Sequence, residues 1–376
     1  MGDAAQPRTV LVLGGYGQTG RVVVEHLAAR NPALNILVAG RDATRARALV
    51  RELASPALTP LRLDAADPVA LERGLCSVDL LVNVAAAADL AEQVAEAALR
   101  AEVDWVDTQV ARHQADVLSA LAPRIAASGR RWVTQAGFHP GVPAALVRLA
   151  AERLDRLDAA WTSGLLHPAG GFPHSGAAAE LFDEFVDYSA HIMREGRWQR
   201  ARWTAASDMP LVTFAGGLGT HRTYPFDLDE IRTLPELLPD VRALGFGVSG
   251  FDPVTDAVVT PLLLAGARLG RWTYPFLEEL LVRSTARFGL APFGVAVQCD
   301  AVGTIAGARA TLRLSIRHSD AYQLTGMPVV SLVEQLLDGT VAAPGLDLAG
   351  HVTDPTRLLA DCAAMGAAVT DSLRAS

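Results

Sequence analysis

Residues 14–20 read GGYGQTG, placed directly after the apolar run TVLVL (9–13) and directly before RVVVEHLAAR (21–30). The segment contains Gly-x-Gly-x-x-Gly at Gly15, Gly17 and Gly20, and Gly-x-x-Gly-x-x-Gly when counted from Gly14. Alone, such a match is a weak signal. Here it ends a predicted strand and opens a predicted helix within a βαβ unit of about 30 residues, the setting that a dinucleotide-binding turn requires. Each glycine has a physical task. Gly15 permits the tight turn, Gly17 lets a pyrophosphate approach the backbone, and Gly20 lets the helix pack close to the sheet. The helix start at Gln18 and Thr19 offers N–H groups and a positive dipole end to phosphates. Tyr16 is expected to pack over those phosphates. No Lys-Ser/Thr pair follows, so the loop is not that of an NTP hydrolase.

Working outward, short β-rich runs alternate with helix-length runs. NILVAG (35–40), LTPLRLD (58–64), VDLLVNV (78–84), DWVDT (104–108) and RRWVTQAG (130–137) read as strands. Helices are expected over 20–30, 43–54, 67–75, 89–101 and 112–128, with Asp67 as N-cap and Pro68 at the first position of the third. Strands apolar throughout are covered on both faces. Strict alternation with helices implies an α/β fold with a doubly wound parallel sheet of the Rossmann type.

The pattern changes after Gly137. FHPGVP (138–143) is a proline-glycine turn, and a helix is expected over 143–154. Glycine- and proline-spaced stretches follow at 167–176 and 214–226. VAVQCDAVG (295–303) and ARATLRLSIRH (308–318) alternate in period two and read as an antiparallel hairpin. Arg309, Arg313 and Arg317 share one face of its second strand, which reads as a solvated face more readily than as an anion-binding stripe. Residues 328–376 read as mostly helical. The expected organisation is a Rossmann domain over 1–140, an inserted α+β substrate and dimerisation domain over 141–320, and a C-terminal helical segment, 321–376, returning to the first domain. The hairpin 295–317 would present an edge strand, which suggests a homodimer built on that sheet.

Composition narrows the function classes. Half of the 376 residues are apolar, and the formal charge is −8 with no basic tract, which argues against a nucleic-acid partner. Cys76, Cys299 and Cys362 are far apart, which argues against a disulfide framework or a zinc site and suits a reducing, cytoplasmic setting. No metal is expected. The N-terminal MGDAAQPRTV lacks the apolar region of a signal peptide. AVVTPLLLAGARL (257–269) is too short to span a bilayer and contains Pro261 and Arg268; it reads as a buried helix more readily than as a membrane-touching segment, with no stable membrane insertion expected.

Cofactor choice is decided at the end of the second strand, where NAD sites usually place an acid. This chain has Ala39-Gly40-Arg41-Asp42. Arg41 can pair with a 2′-phosphate and stack on adenine, and Arg45 could add a second contact. Asp42 is better placed as N-cap of the next helix. NADP(H) is therefore expected over NAD(H). Asp64, at the end of the third strand, is a candidate adenine-side partner. Asn83, Val84 and Ala85 should flank the ribose and nicotinamide.

GGYGQTG, AGRDATRARAL, LDAAD, DLLVNVA, DWVDTQ and QAGFHPGVP, in that order, resemble the saccharopine dehydrogenase-like family. The resemblance is good over 9–145 and thin beyond. It implies a split Rossmann domain with an α+β insert for substrate binding and dimerisation. It also implies hydride transfer between NAD(P) and a carbon–nitrogen bond of a small amino-acid- or amine-derived substrate. The cofactor would lie against Gly15, Gly17, Gly20 and Arg41, with the turn 137–143 near the nicotinamide. Members usually carry an acidic or small residue before the Pro-Gly of that turn, whereas this chain has His139.

Imine reduction needs a proton on nitrogen, so a group titrating near neutrality helps. His139 is the best candidate; as a plain loop residue it would cap a turn. Asp107, ending the fifth strand, could contact substrate or cap a helix. Gln135, on the last strand, is a further candidate to reach the site. His167, His174 and His221 read as surface residues. No Ser-x-x-x-Tyr-x-x-x-Lys set is placed for alcohol dehydrogenation. Two other functions compete with imine reduction: an enoyl reductase on a lipid- or polyketide-like substrate, since the insert is apolar, and a non-catalytic NADP sensor. A separate insert with its own hairpin counts against the sensor.

Overall fold

The computed structural model describes residues 8–86, 88–109, 112–171, 190–202, 205–249 and 255–375. The chain divides into two compact units, residues 1–137 with 325–354 and residues 138–324 with 355–376.

The first unit is a Rossmann domain. Its strands are β1 (Thr9–Leu13), β2 (Asn35–Gly40), β3 (Leu58–Arg62), β4 (Leu80–Asn83), β5 (Asp104–Asp107) and β6 (Arg131–Thr134). They form one parallel sheet in the order β3-β2-β1-β4-β5-β6, extended beyond β6 by Gly345–Leu348. The helices α1 (Gln18–Arg30) and α2 (Ala43–Leu53) follow the first two strands. Val10, Leu11, Val12, Val82, Trp105 and Trp132 are fully enclosed, as a sheet covered on both faces requires. Trp105 and Trp132 stack with centroids 4.9 Å apart. Pro60 is tolerated because β3 is an edge strand. Asp67 caps the third helix, accepting from the amides of Val69 and Ala70. Strand order reverses between β1 and β4, and ligands of such sheets bind at the carboxyl ends of strands flanking that point.

The returning segment is held to this unit by polar contacts. Arg30 and Asn31 both donate to Glu334. Arg131 donates to the carbonyls of Leu336 and Val341 and pairs with Asp104. Gly326 abuts α1: a Cβ there would lie 2.6 Å from Val22 Cγ1.

The second unit is α+β. Its sheet runs in the order 368–375, 308–318, 294–305, 156–167, 243–249, 191–194, 197–200, and Tyr224–Pro225 also pairs with 243–249. The pairings are antiparallel except that of 243–249 with 156–167. The expected hairpin is present as Gly294–Ile305 and Ala308–His318.

Several expectations change. The hairpin is not at an edge, because Ala368–Ala375 pairs along Ala310–Arg317. That removes the unpaired edge on which a hairpin-mediated dimer was argued. Residues 355–376 therefore join the second unit, and only 325–354 belong to the first. The tail is also less helical than its composition suggests, since GLDL (345–348) and AVTDSLRA (368–375) are strands. Both are sheet margins, where pairing overrides weak β-propensity. The arginine face is not simply solvated: Arg313 Nε donates to Asp300 at 2.6 Å, and Arg317 Nε is buried over Gly216. The segment 257–269 is not a buried helix on all sides. A π-turn, Thr255–Val259, leads into helix Thr260–Ala267, with Leu263 and Ala267 buried but Val258, Leu262 and Leu269 exposed. Among the described residues, no helix is long and apolar enough to cross a membrane.

Candidate functional site

The glycine loop leaves β1 and turns into α1 beside the ends of β2 and β4. Gly14, not Gly15, takes the left-handed conformation, with φ +83°. A Cβ on Gly14 would lie 2.9 Å from the Ala85 backbone, so this glycine lets the loop touch the end of β4. The Gly14 amide donates to Ala39 at 2.9 Å, which fixes the loop to β2. Gly20 closes the loop on itself: a Cβ there would stand 2.2 Å from the Gly14 carbonyl oxygen. Gly17 differs. A Cβ on it would meet only Gly14 O, at 3.1 Å, and open space otherwise. Gly17 is also the N-cap of α1 and supplies no side-chain cap. The first amides of α1, from Gln18 onward, therefore face that space without a side-chain acceptor, which is the geometry of an anion site.

Charge is arranged around the end of β2. Asp42 accepts from the amides of Thr44 and Arg45, so its carboxylate caps α2. Arg41 is exposed and makes no ion pair or hydrogen bond among the described residues. Arg45 lies over the Tyr16 ring at 4.8 Å and donates to Tyr16 O. The Tyr16 ring lies against Gly40, where a Cβ would come within 2.5 Å of it, and its hydroxyl accepts from Asp42 N. It forms the floor on the Arg41 and Arg45 side. Asp64 Oδ1 accepts from Ala66 N at 3.0 Å, ordering the turn after β3.

At the other strand ends, Asn83 is buried and Asn83 Oδ1 accepts from Ala85 N at 3.4 Å. Asp107 is fully buried and accepts from Trp105 Nε1 (2.6 Å), Gln109 N (2.9 Å), Thr134 Oγ1 (2.9 Å) and Gln135 N (3.2 Å). Burial raises its pKa, and these four donors pull against that rise. The carboxylate is spent on tying β5 to β6, which makes it a clamp rather than a free base. Gln109, which sequence reasoning passed over, donates Nε2 to Ala85 O at 2.7 Å and so holds the segment after β4. The only hint was its place in the DWVDTQ stretch. Gln135 is buried with φ +61°, an uncommon conformation for a non-glycine residue and frequent at functional sites.

The loop, the uncapped helix and the arginine pair together fit a phosphorylated dinucleotide. Residues 10–137 match the model of the saccharopine dehydrogenase NADP-binding domain. These residues are a domain of that family. The spectinabilin polyketide synthase system protein NorA of Streptomyces orinoci is 34% identical over 113 residues, 29% of this chain. The chain spans 6% of that protein's length. Saccharopine dehydrogenase (L-Glu forming) from Saccharomyces cerevisiae superposes with a TM-score of 0.71 at 16% identity, covering 98% of this chain and 100% of that one, so the fold is shared throughout. A short-chain dehydrogenase/reductase from Veillonella parvula, solved with NADP, covers 27% of this chain and 46% of its own, at 17% identity and a TM-score of 0.24. The matched domain is the dinucleotide-binding domain of an NAD(P)-dependent oxidoreductase family.

The saccharopine dehydrogenase NADP-binding domain ends at the turn carrying His139, which belongs to the second unit. There its ring packs between Phe138 and Phe246, with centroids at 3.8 and 5.8 Å. It also covers Gly164, where a Cβ would lie 2.8 Å from the ring. His139 Nε2 is buried without a partner. Desolvation pushes its pKa down to about 4, so the ring is neutral at physiological pH. A neutral, enclosed ring departs from the group titrating near neutrality that the sequence suggested at His139. Behind the same turn, Glu230 is buried and faces the amides of Gly141 and Ala144, and burial raises its pKa to about 8. His167, expected at the surface, is buried on Phe293 and bonds Leu290 O at 2.8 Å; His221 is half-buried on Leu218 O. His174 lies outside the described residues. No cluster of potential metal ligands occurs among the described residues.

Proposed function

We propose that this chain is an NADP(H)-preferring oxidoreductase that transfers hydride to the carbon–nitrogen double bond of a small amino-acid- or amine-derived substrate. The observation that carries the cofactor half is the end of β2, where Asp42 is committed to capping α2 and Arg41 is exposed and unpaired. A site without an available acid and with a free guanidinium favours a 2′-phosphate over bare ribose hydroxyls. In this reading Gly17, Gln18 and Thr19 hold the pyrophosphate, Tyr16 supports Arg45, and Asn83 and Ala85 flank the ribose and nicotinamide. When bound, the dinucleotide supplies the hydride. Asp107 and Gln109 act by holding the strand ends in place. His139, being neutral, contributes packing and shape around its turn.

A second reading is reduction of a carbon–carbon double bond in a polyketide-like thioester. It is favoured by the polyketide synthase system name of the Streptomyces orinoci relative. The proposal extends to a homodimer, which rests on the family resemblance alone since the hairpin has no free edge, and to the cytoplasm, supported by three cysteines left as free thiols.

The discriminating experiment follows NADPH consumption by the full chain with 2-oxo acids plus amines and, separately, with enoyl thioesters. Turnover with the first set supports imine reduction. Turnover only with the second replaces it by the carbon–carbon reading. Tight NADPH binding with neither would leave a sensor.

A further inference from the structure

Among the described residues, twelve large hydrophobic side chains are exposed, and eight of them lie between 258 and 293: Val258, Leu262, Leu269, Trp272, Phe276, Phe288, Leu290 and Phe293. Such clustering is unlike the scattered single exposures of an ordinary surface. Val258, Leu262, Ala265 and Leu269 follow the i, i+4, i+7, i+11 spacing of one outward helical face. The opposite face, Val259, Leu263 and Ala267, is buried. This helix is thus apolar on both sides, a pattern that belongs in a core or against lipid rather than in water. The surface continues onto the next helix, Tyr274–Phe288, through Trp272 (78% exposed) and Phe276 (70% exposed). Trp272 Nε1 donates to Leu269 O at 2.9 Å, so the indole has its polar edge satisfied while its apolar face stays outside.

The charges around this surface decide its occupant. Across 255–293 four arginines, Arg268, Arg271, Arg283 and Arg287, all exposed, stand against three acids, Asp256, Glu278 and Glu279, a formal charge of +1 on a chain whose formal charge is −8. Glu279 pairs with Arg283 on its own helix. An anionic lipid surface answers both features: headgroups meet the guanidinium groups while the aromatic and aliphatic side chains enter the acyl boundary.

We infer that the helical hairpin 255–293 is an interfacial docking surface for anionic phospholipid, lying in the plane of the bilayer without crossing it. The test is flotation of the full chain with vesicles of phosphatidylcholine and phosphatidylglycerol in equal parts, beside vesicles of phosphatidylcholine alone. The parent protein floats with the anionic vesicles and binds the neutral ones roughly tenfold less, with the difference shrinking at high salt. The variant Leu269→Gln, Trp272→Gln, Phe276→Gln loses about tenfold or more of the binding. All three side chains are exposed, so an unchanged thermal melt accompanies that loss. A parent that never floats overturns the inference, as does a triple variant that floats like the parent. Light scattering that shows a parental dimer, dissolved by the triple variant, with no vesicle binding by either, assigns the surface to a second copy instead.

Discussion

The hydroxyl of Tyr16 accepts a hydrogen bond from the amide of Asp42 across 2.8 Å. This bond joins the glycine loop to the end of β2. Asp42 caps α2, Tyr16 lies against Gly40, and Arg45 covers the Tyr16 ring. The phosphate loop and the cofactor-discriminating corner are therefore one construction, and a change in either alters the other.

Arg41→Ala is expected to abolish most of the preference for NADPH while leaving NADH binding nearly unchanged. A charge-assisted contact to phosphate is worth roughly 1.5–3 kcal/mol, about ten- to a hundredfold in affinity. Tyr16→Ala should weaken NADPH more than NADH as well, because Arg45 loses its platform. Calorimetric titration of both cofactors into the parent and the two variants checks this. Equal affinities for the two cofactors in the parent would refute the assignment of Arg41.

Gly17→Val and Gly20→Ala should separate binding from folding. The Gly17 side is open apart from Gly14 O, so valine folds but fills the space for a pyrophosphate; the melt is retained and NADPH binding is lost. A methyl on Gly20 meets the Gly14 carbonyl at 2.2 Å, so the smaller substitution is the more destabilising, by about 1–3 kcal/mol. A Gly17→Val protein that still binds NADPH would show that phosphates lie elsewhere.

Asp107→Asn keeps the shape but turns an acceptor oxygen into a donor group facing Trp105 or Thr134. The buried donors then lose a partner, and the expected loss is about 2–4 kcal/mol of stability. Denaturant titration measures it. If the variant melts like the parent yet turns over no substrate, Asp107 acts on substrate and is not a clamp.

The Rossmann half was legible because two independent signals agree there. Runs such as ILVAG (36–40) are apolar without interruption, and the glycine loop sits where that topology requires it. Asp67 and Asp42 were readable as caps from position alone. The roles of Gly14 and Tyr16 were not, because both depend on atoms of Ala85, Gly40 and Asp42 brought together by parallel pairing. The second unit was harder to read. Strand 156–167 follows a helix with no turn chemistry between them, and 368–375 alternates weakly, so its pairing with 308–318 is a tertiary fact. The enclosure of His139 was hidden for the same reason: a histidine beside proline and glycine looks exposed, and only Gly164 and Phe246, about 25 and about 107 residues further on, reveal that it is enclosed.

That enclosure gives the last prediction, the pH dependence of stability. His139 titrates at about 4 in the folded protein against 6.5 for the free side chain. Between these values the unfolded chain binds a proton that the native state refuses. Stability therefore falls as pH is lowered from 6.5 towards 4, by about 3 kcal/mol from this group. Glu230 has the opposite sign. Its pKa is raised to about 8, so its contribution is present below about 4.5 and is lost as pH rises through 8. The two slopes oppose each other between about 4.5 and 6.5, which hides both in the parent alone. His139→Leu, close in volume, removes only the first. Denaturant unfolding of parent and variant at pH 7.5 and pH 4.5 isolates it, since Glu230 is common to both. The variant should gain on the parent by about 2–3 kcal/mol on going to the acid condition. Parallel behaviour at the two pH values would mean that the native state accommodates a protonated His139, and the ring would regain its candidacy as a proton donor.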